Sequence, residues 1–309
     1  MKFADLSISE ISYQLRRIGV VFNSGPFIIR VQSNLPDLAV PLHQLYCHYS
    51  LTENNPFSDI HVRLTKRAGI RGYWKSEAQL WLNDYTPFTS FARNTGFPFL
   101  EWGINWCVAT RAHQYLMLHA GVVEKNGKAI LLPAWPGSGK STLCAALSQC
   151  GWRLLSDEFA LVQPADLGIV PFPRPISLKN ESIAVIRASF PEAILGPEFP
   201  NTRKGTVAHL RPSASSVARA GEITQPGWIV FPKFQAGAAP CLTPLSKTDG
   251  FITLSHHSFN YDKIGLRGFQ AVSGLIESCN CYAFHYGALE QAVAQLDTLI
   301  TDTAPESNI

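Results

Sequence analysis

The residues Ala134-Trp135-Pro136-Gly137-Ser138-Gly139-Lys140-Ser141-Thr142 combine glycines, a lysine and hydroxyls at the spacing of a phosphate-binding loop, G-x-x-x-x-G-K-[ST], with Ala134 at the first glycine position. Successive backbone N–H groups in such a loop turn inward and form an anion nest at a helix N-terminus. Pro136, Gly137, Ser138, Gly139 and Thr142 are then expected to line the cradle. Lys140 would reach the β- and γ-phosphates, and Ser141 would put its hydroxyl on Mg²⁺. The expected ligand is a nucleoside triphosphate, ATP, with Mg²⁺.

Flanking residues supply the elements such a loop needs. Ala129-Ile130-Leu131-Leu132 reads as the strand that feeds it, and Leu143, Ala146, Leu147 and Cys150 recur at i, i+3, i+4, i+7 as on one helix face. Gly151 then falls where a helix C-cap glycine belongs. A glycine-rich turn without a ligand is the alternative, but a bare turn does not need the lysine and hydroxyl pair.

Beyond the helix, Trp152 to Ser156 reads as a second short strand with Asp157-Glu158 at its C-terminal end. A parallel neighbour strand would deliver these acids beside the loop, in the crevice where open α/β sheets bind ligands. Phosphoryl transfer needs a carboxylate for Mg²⁺ and often another to take the acceptor's proton. Adjacent acids on a strand face opposite ways, so the pair is expected on the turn that follows. An acidic turn facing water is the competing reading.

Together, Leu118-His119-Ala120-Gly121-Val122-Val123, the loop Pro136 to Thr142, and Gly151-Trp152-Arg153-Leu154-Leu155-Ser156-Asp157-Glu158 resemble the core of HPr kinase/phosphorylase. The chain is more similar still to the HPr-kinase-related kinases, in Glu101-Trp102-Gly103, Pro173-Arg174-Pro175-Ile176, Lys204-Gly205-Thr206 and His257-Ser258-Phe259-Asn260. The resemblance implies Asp157 as general base, Glu158 beside the metal, and His119 near the γ-phosphate. It also implies a hydroxyl acceptor, a serine of a protein or peptide. The glycine-rich second signature of HPr kinase is not recognisable, so the resemblance gives no support for a reverse phosphorylase activity. HPr kinases form hexamers, but no residue pattern here specifies such a homo-oligomer.

The 309 residues are 46% hydrophobic and 16% charged, the make-up of a globular chain. A net charge of +3 with no basic block gives no reason to expect nucleic acid or an anionic membrane as partner. Seven scattered cysteines suit a reduced cytoplasm, and the Cys279-Asn280-Cys281 pair reads as two buried thiols. No targeting segment or membrane-length apolar run is visible.

The fold class expected is α/β; the resemblance implies a kinase core of the HPr kinase/PEP carboxykinase type with a mixed sheet over residues 96–309, beside a smaller N-terminal α+β domain over 1–95. A hairpin from Leu116 to Pro133, turning at Asn126-Gly127, would feed the loop. Pro171 to Pro175 is a rigid segment that could hold Arg174 against phosphate oxygens or lie as a plain surface loop. Phe190 to Arg211 reads as a long loop, either a lid that brings Lys204 over the γ-phosphate or a carrier of solvated charge. Ser258 to Glu277 and Leu289 to Thr301 read as closing helices. A small-molecule kinase and a nucleotide-binding regulator with little turnover remain alternatives.

Overall fold

A computed structural model describes residues 1–52, 57–67 and 76–301. The protein is mixed α/β, and its contacts divide it into two compact units: Met1–Ala112 with Phe172–Gly221, and His113–Pro171 with Glu222–Ile309. In the first unit the helix Ile8–Arg16 precedes a hairpin, β1 (Val20–Ser24) and β2 (Phe27–Ser33), and β3 (Ile60–Lys66) lies parallel to β2. Antiparallel β4 (Glu77–Leu82) and β5 (Phe91–Ala92) complete this five-stranded sheet. Alternate residues such as Ile29, Val31, Val62, Leu64 and Leu80 are buried, the period-two signature of a half-buried sheet.

The helix Gly96–Arg111 packs on β3 and β4. Gly103 permits that approach, since a Cβ there would lie 3.1 Å from Leu80 Cδ2. The expected division at residues 95 and 96 would cut this helix from the sheet that buries it, so the units do not follow it.

Chain order then gives β6 (Leu116–Lys125), β7 (Lys128–Pro133), β8 (Arg153–Ser156), β9 (Phe159–Val162) and β10 (Ile169–Val170) in the second unit. Phe172 to Gly221 belongs to the first unit again, with β11 (Ile176–Lys179), β12 (Phe199–Thr202) and β13 (Gly205–Leu210) in the order β11-β13-β12. The expected long loop over 190–211 is therefore a β-hairpin in its second half. Its turn carries Lys204 and Gly205, the glycine at φ 82°, and the Lys204 ammonium lies over the Trp102 ring. The prolines and glycines that suggested a lid hid the short strands between them.

Phe172 to Pro175 is neither helix nor strand, as its prolines require. The Tyr49 and Ser24 hydroxyls donate to the Pro173 carbonyl at 2.8 and 3.0 Å. Arg174 forms a 2.8 Å ion pair with Glu101, which also accepts from the Tyr46 hydroxyl at 2.6 Å. Burial raises the Glu101 carboxyl, with the Arg174 charge and the Tyr46 hydrogen bond pulling it back down. Glu101→Ala would leave the Arg174 guanidinium buried without that counter-charge, a situation that destabilises by about 3–5 kcal/mol. The expected result is a matching shift in the urea unfolding of this unit, and a loss below about 1 kcal/mol would show that the pair contributes little.

The second unit is built on an eight-stranded sheet, completed by β14 (Gln225–Phe234), β15 (Cys241–Pro244) and β16 (Asn280–Tyr286). Its order is β10-β9-β6-β7-β14-β16-β15, with β8 also paired to β6. β7, β14 and β16 run parallel, whereas β6 is antiparallel to β7, β8 and β9. Asn126 and Gly127 both take left-handed φ, at 55° and 78°, as a two-residue hairpin turn demands. Leu116, Leu118, Ala120 and Val122 of β6 pack with Val272, Leu275 and Ile276 of the helix Leu266–Ser278. The closing helix expected from Ser258 to Glu277 is broken at Gly265, φ 58°, into Tyr261–Ile264 and Leu266–Ser278. Leu289–Thr301 is helical as expected, and Cys279 and Cys281 are buried free thiols. Among the described residues no helix is long and apolar enough to cross a membrane.

Candidate functional site

β7 ends at Pro133, and the loop Ala134 to Gly139 leads directly into the helix Lys140–Gln149. Gly137 and Gly139 take φ of 89° and 87°, open to glycine at little cost. The helix start has no side-chain cap, so its first N–H groups remain available to an anion. Two ends of the parallel strands brace the loop: Phe234 N–H donates to the Ser138 carbonyl at 2.9 Å and the Tyr286 hydroxyl to the Gly139 carbonyl at 3.2 Å. A Cβ at Gly139 would collide with that hydroxyl. At the far end of the helix Gly151, φ 85°, supplies the expected left-handed cap.

Lys140 is only 7% exposed, and among the described residues its Nζ has no hydrogen-bond partner. The Ser138 Oγ is likewise buried and unpartnered. An ammonium withdrawn from water without an acceptor is expensive to keep. A ligand rich in oxygens would satisfy both atoms. Beneath the loop, a Cβ on Gly121 of β6 would come within 2.9 Å of Cys144 Sγ and 3.5 Å of Lys140 Cγ, so glycine lets the helix seat closely on the strand.

The acids reach the same end of the sheet by a different route from the one expected. β8 runs in the direction of β7 but is not its neighbour, because β6 lies between them. Ser156 pairs with Val122 and Phe159 with His119, so Asp157 and Glu158 lie alongside Gly121 and Ala120, while Ala120 pairs on its other side with Pro133 at the loop's start. A bend carries the acidic pair, as the expectation of a turn required. The Ser156 hydroxyl shapes it by accepting from the Glu158 and Phe159 N–H groups at 3.3 and 3.1 Å.

Asp157 is 8% exposed, and Glu158 is half-buried. His119 Nε2 lies 3.7 Å from Glu158 Oε1. The Cys144 thiol is pushed well up, first by burial and then by the Asp157 charge, while Lys140 opposes the shift. Lys140 and Asp157 thus both act on one buried sulfur at the floor of the site.

No family model matches the chain, and no curated protein matches it.

Of the residues expected in a site, the second unit brings together His119, Pro136 to Thr142 with Lys140 and Ser141, Asp157 and Glu158. Arg174 belongs to the first unit, where its two terminal nitrogens are held by Glu101 and Asn105 and its plane lies over Phe172. Its buried ion pair replaces the expected place among phosphate ligands. Sequence reasoning missed Tyr286 and Phe234, which reach the loop only through strand order, and gave His257 no role at the site.

His257 to Phe259 run beside β6 where β7 has peeled away into the loop. His119 N–H donates to the His257 carbonyl at 2.7 Å and Phe259 N–H to the Met117 carbonyl at 2.9 Å. The Asn260 side chain fixes this segment, accepting from Met117 N–H at 2.9 Å and donating to the Tyr115 carbonyl at 2.8 Å. The Phe259 ring packs edge-on to His119, centroids 5.6 Å apart.

Among the described residues no group of three or more His, Cys, Asp or Glu side chains could hold a metal ion by itself. Mg²⁺ takes few protein ligands and keeps water and phosphate oxygens around it. Ser141 and Glu158 are the hard oxygen donors that would hold it, with Asp157 beside them as the base or, in exchange with Glu158, as the ligand.

Proposed function

We propose that this protein is a kinase that transfers the γ-phosphoryl group of ATP to a hydroxyl, on a core of the HPr kinase/PEP carboxykinase type. The acceptor is a serine of a protein or peptide. The observation that carries this reading is the buried, unpartnered Lys140 ammonium at an uncapped helix start, on the same sheet end as a carboxylate pair. The antiparallel β6 between the loop strand and the acid strand supports the fold assignment.

In this reading the loop N–H groups and Lys140 hold the triphosphate. Asp157 takes the acceptor hydroxyl's proton as its oxygen bonds to the γ-phosphorus. The bond from that phosphorus to the β,γ-bridging oxygen breaks, and its electron pair leaves with ADP. Mg²⁺, held by Ser141 and Glu158, would supply charge neutralisation. His119 stands between Glu158 and Phe259, where it can orient the terminal phosphoryl group.

A small-molecule acceptor is the second reading. It is favoured by a cavity of about 580 Å³ lined by His256, Ser258, Phe259, Tyr261, Asp262 and Lys263, a size that suits a metabolite. Incubating the protein with γ-labelled ATP, Mg²⁺ and host lysate decides the matter. A discrete labelled protein band supports the protein kinase, and a labelled metabolite the alternative. Tight ATP binding with no labelled product would overturn both in favour of a regulator.

A further inference from the structure

Besides the loop and the acids, the second unit buries another polar atom beside Lys140. His257 is 4% exposed, and among the described residues its Nδ1 has no hydrogen-bond partner. The ring is not loosely held. It packs against Trp135 of the loop with centroids 4.5 Å apart and lies 6.2 Å from Phe231 of β14. Its backbone is fixed at the end of the helix Lys247–His256 and bonded to His119.

The position is informative as well as the orphaned atom. His257 lies within electrostatic reach of Lys140, touches the loop's outer residue Trp135, and shares a backbone hydrogen bond with the histidine that faces Glu158. It thus adjoins the loop through Trp135 and, through its backbone, His119, which faces Glu158. A group that merely filled space there would be apolar. Among the described residues two neighbouring buried polar atoms, Lys140 Nζ and His257 Nδ1, lack partners, a desolvation cost that an oxygen-rich ligand would relieve.

We infer that His257 hydrogen-bonds the terminal phosphoryl group of the bound nucleotide and so makes the site select a triphosphate over a diphosphate. This rests on the nucleotide reading above and adds a residue and a selectivity to it. Burial, then the Lys140 charge, then His256, lower the imidazole to about 4, so the ring is neutral at pH 7. A neutral ring offers one N–H donor to a phosphate oxygen without adding a second charge beside Lys140.

The experiment is calorimetric titration of wild type, His257→Ala and His257→Gln with ADP and with the non-hydrolysable β,γ-imido analogue of ATP, each with Mg²⁺. A lost hydrogen bond to a charged group corresponds to about 10- to 100-fold in affinity. His257→Ala should lose that factor for the triphosphate analogue and stay within about 2-fold for ADP. His257→Gln, which keeps a donor and most of the volume, should recover part of the loss. In parallel, the His257 ring proton resonance of the wild type should move with the triphosphate analogue and not with ADP, which requires no variant to fold. Wild-type protein that binds neither nucleotide removes the nucleotide reading and this inference with it. Wild type that binds both, with variants keeping the wild-type ratio or a resonance that responds equally to both, overturns the inference alone.

Discussion

Lys140→Met is expected to abolish measurable Mg²⁺-ATP binding while leaving the protein at least as stable as the wild type. The two halves of that outcome have one cause. The ammonium is buried and, among the described residues, has no hydrogen-bond partner, so it contributes a desolvation penalty and no hydrogen bond. Methionine keeps the stem that packs over Gly121 and discards the penalty. With triphosphate bound, the same ammonium would make charge-assisted hydrogen bonds of about 1.5–3 kcal/mol each, so losing two amounts to at least about a hundredfold in affinity. Calorimetric titration and thermal melting read the two halves separately. A well-folded variant with normal nucleotide affinity would remove the phosphate-loop reading.

Asp157→Asn should separate chemistry from binding. The amide preserves shape and hydrogen-bonding capacity at a position nearly closed to water, but it cannot accept the acceptor's proton. Loss of a general base lowers the rate by about 10²- to 10⁴-fold. Nucleotide affinity should survive, since the loop and Lys140 are untouched. Single-turnover transfer of the labelled phosphoryl group, measured beside nucleotide affinity, tests both expectations. If Mg²⁺-ATP binding disappears with turnover, Asp157 is a metal ligand and Glu158 becomes the base.

How much of this was legible in the sequence depended on how locally each feature is encoded. The loop, the hairpin turn at Asn126-Gly127 and the cap at Gly151 are short-range patterns with fixed backbone demands, and each stands where its residues imply. The bend at Asp157-Glu158 followed from the geometry of adjacent acids on a strand. Strand order is not local. Nothing between Arg153 and Ser156 says that β8 pairs with β6 and not with β7, so the route by which the acids reach the loop had to come from the fold.

The same limit hid His257, whose value lies in Lys140 and Trp135, both more than a hundred positions away. Arg174 failed for a different reason. A proline-bound arginine offers its charge equally to a phosphate or to a buried carboxylate, and only the location of Glu101 decides between them. The helix Ile8–Arg16, which starts at a capping box of Ser7 and Glu10, went unread.

The first unit is assembled from two stretches of chain, and this sets a timetable for its birth on the ribosome. Glu101 emerges 73 residues before its partner Arg174. At about 5–20 residues per second, that is roughly 4 to 15 seconds in which the carboxyl cannot be ionised and buried at once without an uncompensated charge. The sheet β1–β5 and its helix are therefore expected to stay partly open while the loop-bearing strands β6–β10 are synthesised. Nascent chains stalled before Phe172 should stay protease-sensitive in their first hundred residues, and those stalled well after Gly221 should not. The segment that interrupts the second unit is thus also the latch that completes the first.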